Sequence, residues 1–312
     1  MTDLTMRVEA RRPLTEQICE FTLAPLDGAE LPTFEPGAHV TIETPSKAMR
    51  RYSLINDGSA PEVYKIAVKR EPESRGGSAS MHDEATVGTE LRVEPPENDF
   101  PMGEANEYLL IAGGIGVTPI YSMAQQLDRE GKPFNIIYCT RSPEDTAYLD
   151  EMRAAFGDRL LVHHDEGDPE KVYDFWDHFE EPKKMHVYCC GPAPLMEEIE
   201  AISGHWPEGR VNFEDFKPVD VVREDDKAFD VVLEKSGKRV TVPEDRSILE
   251  ALRDAGVATV SSCESGTCGT CKTRLLSGEV DHRDMVLMDE EKSDNIMICV
   301  SRAKEGELVL DL

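Results

Sequence analysis

Ser262-Cys263-Glu264-Ser265-Gly266-Thr267-Cys268-Gly269-Thr270-Cys271, joined much later by Cys299, spaces its thiols C-x4-C-x2-C with a distant fourth cysteine. That is the spacing of plant-type [2Fe-2S] ligands, with Cys263, Cys268, Cys271 and Cys299 as the metal-binding set. Three thiolates can converge on adjacent irons only if the chain between them curls tightly, and Gly266 and Gly269 supply the backbone freedom. Tetrahedral zinc is the competing reading. It is the weaker one, because zinc sites usually pair two C-x2-C knuckles and only one stands here.

Around this loop the sequence predicts a small α+β module of the plant-type ferredoxin (β-grasp) kind over residues 227–312. Runs 229–233 and 239–242 read as a hairpin about Ser236-Gly237. Residues 246–253 read as an amphipathic helix with Ile248, Leu249 and Leu252 inward and Gly256 as its stop. The polar stretch from Lys217-Pro218 to Asp225-Asp226-Lys227 reads as a linker.

Upstream, from residue 104 to 220, strands and helices alternate, as in a doubly wound α/β nucleotide domain. The apolar run Tyr108-Leu109-Leu110-Ile111 ends in Ala112-Gly113-Gly114-Ile115-Gly116-Val117-Thr118-Pro119. A buried parallel strand is continuously apolar, and a glycine turn between such a strand and a helix can present N–H groups to a pyrophosphate. Gly113, Gly114 and Gly116 are therefore nucleotide candidates, with Thr118 predicted as N-cap and Pro119 as first residue of a helix stopped by Gly131. Further strands are expected at 134–139, 160–163, 186–190 and 210–213, with helices at 145–156 and 194–202. Thr140 and Arg141, and Cys190, Gly191 and Pro192, fall at strand carboxyl ends, where such sheets gather ligands. His163-His164-Asp165 reads as a strand running into an acidic turn rather than a metal site, because adjacent strand residues face opposite ways.

Residues 1–103 predict an antiparallel β-barrel from short runs at 6–9, 18–23, 39–43, 52–55, 64–68 and 91–93, separated by turn clusters. Within it, Arg50-Arg51-Tyr52-Ser53, Ala67-Val68-Lys69 and Gly76-Gly77-Ser78 together suit a flavin. A guanidinium pairs with phosphate, an aromatic ring packs on isoalloxazine, and a Gly-Gly-Ser helix start offers free N–H donors.

The 34 basic and 62 acidic residues give a net charge of −28, with acidity in every part of the chain. That argues against nucleic acid or an anionic membrane as partner. No signal-peptide pattern and no apolar run near the ~18 residues of a membrane helix is present, so a cytoplasmic protein is expected. Cys19, Cys139, Cys189 and Cys190 sit in apolar strand contexts and are expected as buried thiols without disulfides.

Arg50-Arg51-Tyr52-Ser53-Leu54 with Arg75-Gly76-Gly77-Ser78, residues 112–119 with Cys189-Cys190-Gly191-Pro192, and the cysteine loop with Asp281-His282-Arg283-Asp284 resemble the phthalate dioxygenase reductase family along the whole chain. The resemblance implies a monomeric NADH-dependent oxidoreductase with FMN and a [2Fe-2S] cluster, feeding a terminal Rieske-type non-haem iron oxygenase. It places FMN on the three flavin segments and adds Thr118 and Phe216. Where the family has threonine, this chain has Arg51, and no adenine-binding signature follows Ser78, which favours FMN over FAD. Hydride delivers two electrons and the cluster takes one at a time, so a flavin must stand between, and no catalytic acid or base is required. Glu144 and Asp145 near Arg141 disfavour a 2'-phosphate, hence NADH over NADPH. The same relay could serve an O- or N-demethylating monooxygenase or a cytochrome P450, or the last module could be a zinc-stabilised binding domain on a flavoprotein.

Overall fold

The computed structural model describes residues 3–26, 28–71, 76–215, 223, 225–261, 266 and 269–312. These divide into two compact units, Met1–Phe216 and Lys217–Leu312.

The first unit opens with β1 (Leu4–Pro13), β2 (Ile18–Pro25), β3 (His39–Glu43), β4 (Met49–Ser53), β5 (Tyr64–Lys69), the short helix α1 (Gly77–Asp83) and β6 (Glu90–Val93). The strands pair antiparallel in the order β4-β3-β6-β1-β2-β5. Alternation along β1, with Met6 and Val8 buried between exposed neighbours, turns one face onto a core containing Phe21, Leu23, Val40, Ile42, Tyr64 and Ile66. The expected closed barrel is not formed among the described residues, because β4 and β5 remain the two edges of the ladder. The physical reason lies just after β4. Leu54 N–H extends the β3–β4 pairing to Ala38 O, and among the described residues β4 and β5 form no ladder, the Ile55 N–H to Lys65 O bond at 3.0 Å reaching across beyond the end of β4.

A five-stranded sheet follows, built from β7 (Tyr108–Gly113), β8 (Phe134–Thr140), β9 (Leu160–His164), β10 (His186–Cys190) and β11 (Val211–Glu214). All pairs are parallel and the order is β11-β10-β7-β8-β9, the doubly wound arrangement whose direction of winding reverses between β7 and β10. Helices α2 (Val117–Glu130) and α3 (Leu149–Phe156) share a core with Leu110, Ile136 and Tyr138. Helices α4 (Trp176–Phe179) and α5 (Ala193–Ser203) share another with Leu109, Ile111, Ile137 and Val187. Consecutive strand residues thus feed opposite layers, which is why the strands read as unbroken apolar runs. Gly131 ends α2 in the left-handed conformation at φ 64°, as expected. The helix begins differently from the expectation. A 3-10 turn over Gly114–Gly116 runs directly into it, so Thr118 lies inside the helix and donates its hydroxyl to Ile115 O at 3.1 Å instead of capping.

The second unit contains β12 (Phe229–Leu233), β13 (Lys238–Val242), α6 (Ile248–Asp254), β14 (Lys272–Asp281), β15 (Asn295–Met297) and β16 (Arg302–Leu310), ordered β13-β12-β16-β14-β15. The central pair β12 and β16 is parallel and the others antiparallel, so α6 packs on a mixed sheet. Ser247 and Glu250 form a reciprocal capping box at the start of α6, and Ile248, Leu249 and Leu252 enter the core as the periodicity predicts. Among the described residues no helix is long and apolar enough to cross a membrane.

Candidate functional site

At the reversal point of the parallel sheet, two strand ends interlock. A Cβ on Gly113 would lie 2.5 Å from Pro192 Cδ, and one on Gly116 would lie 2.1 Å from the Cys190 carbonyl oxygen. A Cβ on Gly191 would lie 2.8 Å from Leu195 Cδ2 and 3.0 Å from Gly113 Cα. Residues 113–116 and 190–192, far apart in sequence, are thus pressed together, and glycine is required at 116 because there backbone meets backbone. Gly114 differs. It takes φ 53° with nothing within 4 Å of where a Cβ would stand, and its carbonyl accepts from Tyr138 Oη at 3.1 Å. This open backbone at a strand-to-helix turn is the surface against which a dinucleotide can lie.

Thr140 is occupied differently from a free ligand donor: its hydroxyl is shared with Thr146 Oγ1 at 2.7 Å and His164 Nδ1 at 2.9 Å. Arg141 is exposed, and its carbonyl receives Glu166 N–H at 2.9 Å, which folds the 165–168 acidic turn beside it. His163 Nε2 meets Lys171 O while His164 turns to Thr140, so the two imidazoles diverge as the strand geometry predicts.

On the first sheet, the register of β3 and β4 sets Arg50 and Tyr52 on one face and Arg51 and Ser53 on the other. Arg50 runs along the start of α1: a Cβ on Gly77 would lie 2.8 Å from its Nε. Gly76 precedes that helix in the left-handed conformation, φ 89°, and Ser78 Oγ receives Glu71 N–H. Arg51 is engaged elsewhere, donating to Asp99 Oδ2 at 2.6 Å and lying 3.0 Å from His39 Nδ1. Ala67 and Val68 are buried, and Lys69 pairs with Glu71.

Among the described residues of this unit, the buried polar atoms without a hydrogen-bond partner include Tyr52 Oη, Ser53 Oγ and Glu214 Oε2. Burial raises the Tyr52 phenol above its ordinary value, with Arg50 opposing. Glu214, at the carboxyl end of β11 in register with Cys190, has its carboxyl pushed up to about 8 by burial, against the pull of Arg51. Burial also raises the Cys190 thiol. Buried polar atoms are seldom left unpaired, so their presence on the candidate flavin strand and at the nucleotide edge fits groups that bind there. Sequence reasoning missed Glu214; the signal was an acidic residue ending a parallel strand beside a glycine-bearing one.

In the second unit, Cys271 and Cys299 are both buried in one core. The antiparallel register places Lys272 opposite Met297, so the two cysteines flank the same end of the β14/β15 pair. Gly266 and Gly269 take φ 76° and 80°, the curl expected of a ligand loop. Cys263, Cys268 and Phe216 lie outside the described residues. Among the described residues no group of three metal-binding side chains occurs, since half of the expected thiol set is outside them.

Nearby charges are closed on one another. Arg283 donates to Asp226 through NH1 at 2.8 Å and to Asp281 through Nε at 2.7 Å. Arg302, 1 % exposed, donates to the carbonyls of Arg246, Lys227 and Pro243. Hydrogen bonds from Arg283 draw the Asp226 carboxyl down to about 2. Asp226 is therefore part of the folded unit, correcting its reading as solvated linker.

A dinucleotide-type sheet with a glycine turn at its reversal point, joined in one chain to a cysteine-loop unit, defines an iron-sulfur oxidoreductase. Residues 110–201 match the oxidoreductase NAD-binding domain and residues 231–304 the 2Fe-2S iron-sulfur cluster binding domain. Phthalate dioxygenase reductase of Burkholderia cepacia is 48% identical, over 99% of this chain and 97% of that protein. Vanillate O-demethylase oxidoreductase of Pseudomonas putida is 40% identical, over 98% of each. The solved structure of phthalate dioxygenase reductase, described as modular for electron transfer from pyridine nucleotides to [2Fe-2S], matches with TM-score 0.89 at 48% identity, over 99% of this chain and 98% of that one. This chain belongs to the phthalate dioxygenase reductase family, with an NAD-binding oxidoreductase domain and a 2Fe-2S domain.

Proposed function

We propose that this protein is the NADH-dependent reductase component of an oxygenase system, carrying electrons from NADH through FMN and the [2Fe-2S] cluster to a Rieske-type dioxygenase. The observation that carries this reading is the joining in one chain of a glycine-turn nucleotide sheet and buried Cys271 and Cys299 beside a left-handed glycine loop. Three functional segments follow: 1–103 for FMN, 104–220 for NADH and 227–312 for the cluster.

Arg50 and the Gly76-Gly77-Ser78 turn hold the flavin phosphate, Tyr52, on Arg50's face of β4, turns its unpaired hydroxyl to the ring system, and Ser53 ends the strand beside it. Arg51, engaged by Asp99, contributes backbone only. Ala67, Val68 and Lys69 line the ring, with Thr118 and Phe216 completing the site. Gly113, Gly114 and Gly116 receive the dinucleotide together with Cys190, Gly191 and Pro192, and Thr140 and Arg141 mark its ribose end. Glu144 and Asp145 follow Arg141 closely in the chain and the acidic turn at Asp165 and Glu166 bonds to the backbone of residues 140 and 141, a run of negative charge that disfavours a 2'-phosphate. Cys263, Cys268, Cys271 and Cys299 hold the cluster. Bound FMN supplies the conversion of a paired-electron donor into single-electron transfers. The residues named here bind, orient and exclude water, and none is assigned as an acid or base. The protein acts as a cytoplasmic monomer.

A dioxygenase is favoured over a demethylase as acceptor by the 48% against 40% identity of the corresponding reductases. The test is reconstitution. With NADH, the protein supports turnover by a Rieske dioxygenase and reduces cytochrome c; turnover only with a demethylase or a cytochrome P450 replaces the acceptor, and no cytochrome c reduction ends the reading.

A further inference from the structure

The sequence Asp281-His282-Arg283-Asp284 leaves β14 and turns beside the cysteine loop. The Asp284 side chain is 0 % exposed. One carboxylate oxygen, Oδ2, accepts the N–H groups of Val286 at 3.3 Å and Leu287 at 2.8 Å, which closes the chain into a turn. The other, Oδ1, accepts Ser301 Oγ–H at 3.2 Å and lies 3.6 Å from His282 Nδ1. Ser301 is itself fully buried two residues beyond Cys299, and its hydroxyl oxygen receives Arg283 N–H.

That turn is the surface against which the described part of the cysteine loop is shaped. Met285 N–H donates to Gly266 O at 3.1 Å. A Cβ on Gly266 would lie 3.2 Å from Asp284 Cα and 2.8 Å from Val300 Cγ2, and one on Gly269 would lie 3.4 Å from Val286 Cγ1. One buried carboxylate therefore joins the turn under Gly266 and Gly269 to the segment that carries Cys299.

We propose that Asp284 is a positioning residue for the iron-sulfur cluster: it fixes the turn that packs against Gly266 and Gly269 and places a buried carboxylate beside them. Potentials of such clusters respond to nearby charge and to the orientation of surrounding N–H groups. A buried carboxylate disfavours adding an electron nearby, so the potential is held lower than the loop alone would set. This rests on the cluster reading above.

Asp284→Asn in the full chain keeps an acceptor for the turn and removes the charge. The expected result is retained iron and acid-labile sulfide, an altered visible circular dichroism of the cluster, and a positive shift of its midpoint potential. Ser301→Ala, which loses the Oδ1 partner and the acceptor of Arg283 N–H but leaves the charge, is expected to alter the circular dichroism with a smaller potential shift. Asp284→Ala is expected to lose cluster iron to a chelator faster than the parent. An Asp284→Asn protein with the parent's dichroism and midpoint potential overturns the proposal. A parent protein without iron or sulfide overturns the cluster reading instead.

Discussion

Two buried carboxylates, one in each unit, are treated in opposite ways. Glu214, where the nucleotide sheet ends, keeps Oε2 without a partner and is pushed up to about 8. Asp226, at the start of the cluster unit, is clamped by Arg283 and drawn down to about 2. The first arrangement leaves a buried group at the edge of the nucleotide-type sheet open to a further partner. The second suits a fold that holds its group permanently and closes its charges internally.

The largest effect is expected at the closed end. Replacing Cys271 or Cys299 by serine should abolish the cluster absorbance and iron content while NADH-driven flavin reduction persists. A variant of that kind still reducing cytochrome c at the parent rate would erase the distinction between the two units.

Next comes the clamp itself. Arg283→Met leaves Asp226 buried with only part of its compensation, and removing one partner of a buried pair typically costs about 3–5 kcal/mol. Urea unfolding followed through the cluster chromophore should show a loss of that order. Because the Asp226 carboxyl is depressed in the folded state, its contribution is present above the unfolded value of 3.8 and is lost as pH falls toward about 2. The parent should therefore lose more stability than Arg283→Met on acidification through that window.

A smaller effect is expected at the open end. Gly116→Ala drives a Cβ to within 2.1 Å of the Cys190 carbonyl, and such overpacking typically costs about 1–3 kcal/mol. Its signature should be a raised KM for NADH with flavin content preserved.

The effect at Glu214 shows only as a pH dependence. Its folded-state value lies above the ordinary 4.5, so the native state binds that proton more tightly than the unfolded chain does. Stability is then fully present below about 4.5 and falls as pH rises to about 8. In the absence of nucleotide, Glu214→Gln should flatten that part of the melting-temperature profile; an unchanged slope would remove Glu214 from the comparison.

Much of this was legible in the sequence because the signals are local. The cysteine spacing, the Gly113–Gly116 turn, the apolar run 108–111 and the inward set Ile248, Leu249 and Leu252 each depend on residues within a few positions. What escaped depends on distance or on a single turn. The first sheet stays open because β4 and β5, its two edges, share no ladder beyond the Ile55 to Lys65 bond among the described residues. Thr118 is no cap because a 3-10 turn enters the helix ahead of it. Asp226 and Arg283 are 57 positions apart, and no periodicity announces such a pair. The pairing of glycine loops at 113–116 and 190–192 could be suspected from strand ends, but their mutual fit requires the β7 to β10 register.

The central claim, that paired electrons enter one unit and leave singly through the other, is tested most directly by mixing the protein anaerobically with NADH. Flavin bleaching should come first and cluster bleaching second, with the second phase absent in Cys299→Ser. Cluster bleaching that precedes or survives without the flavin phase would contradict the account.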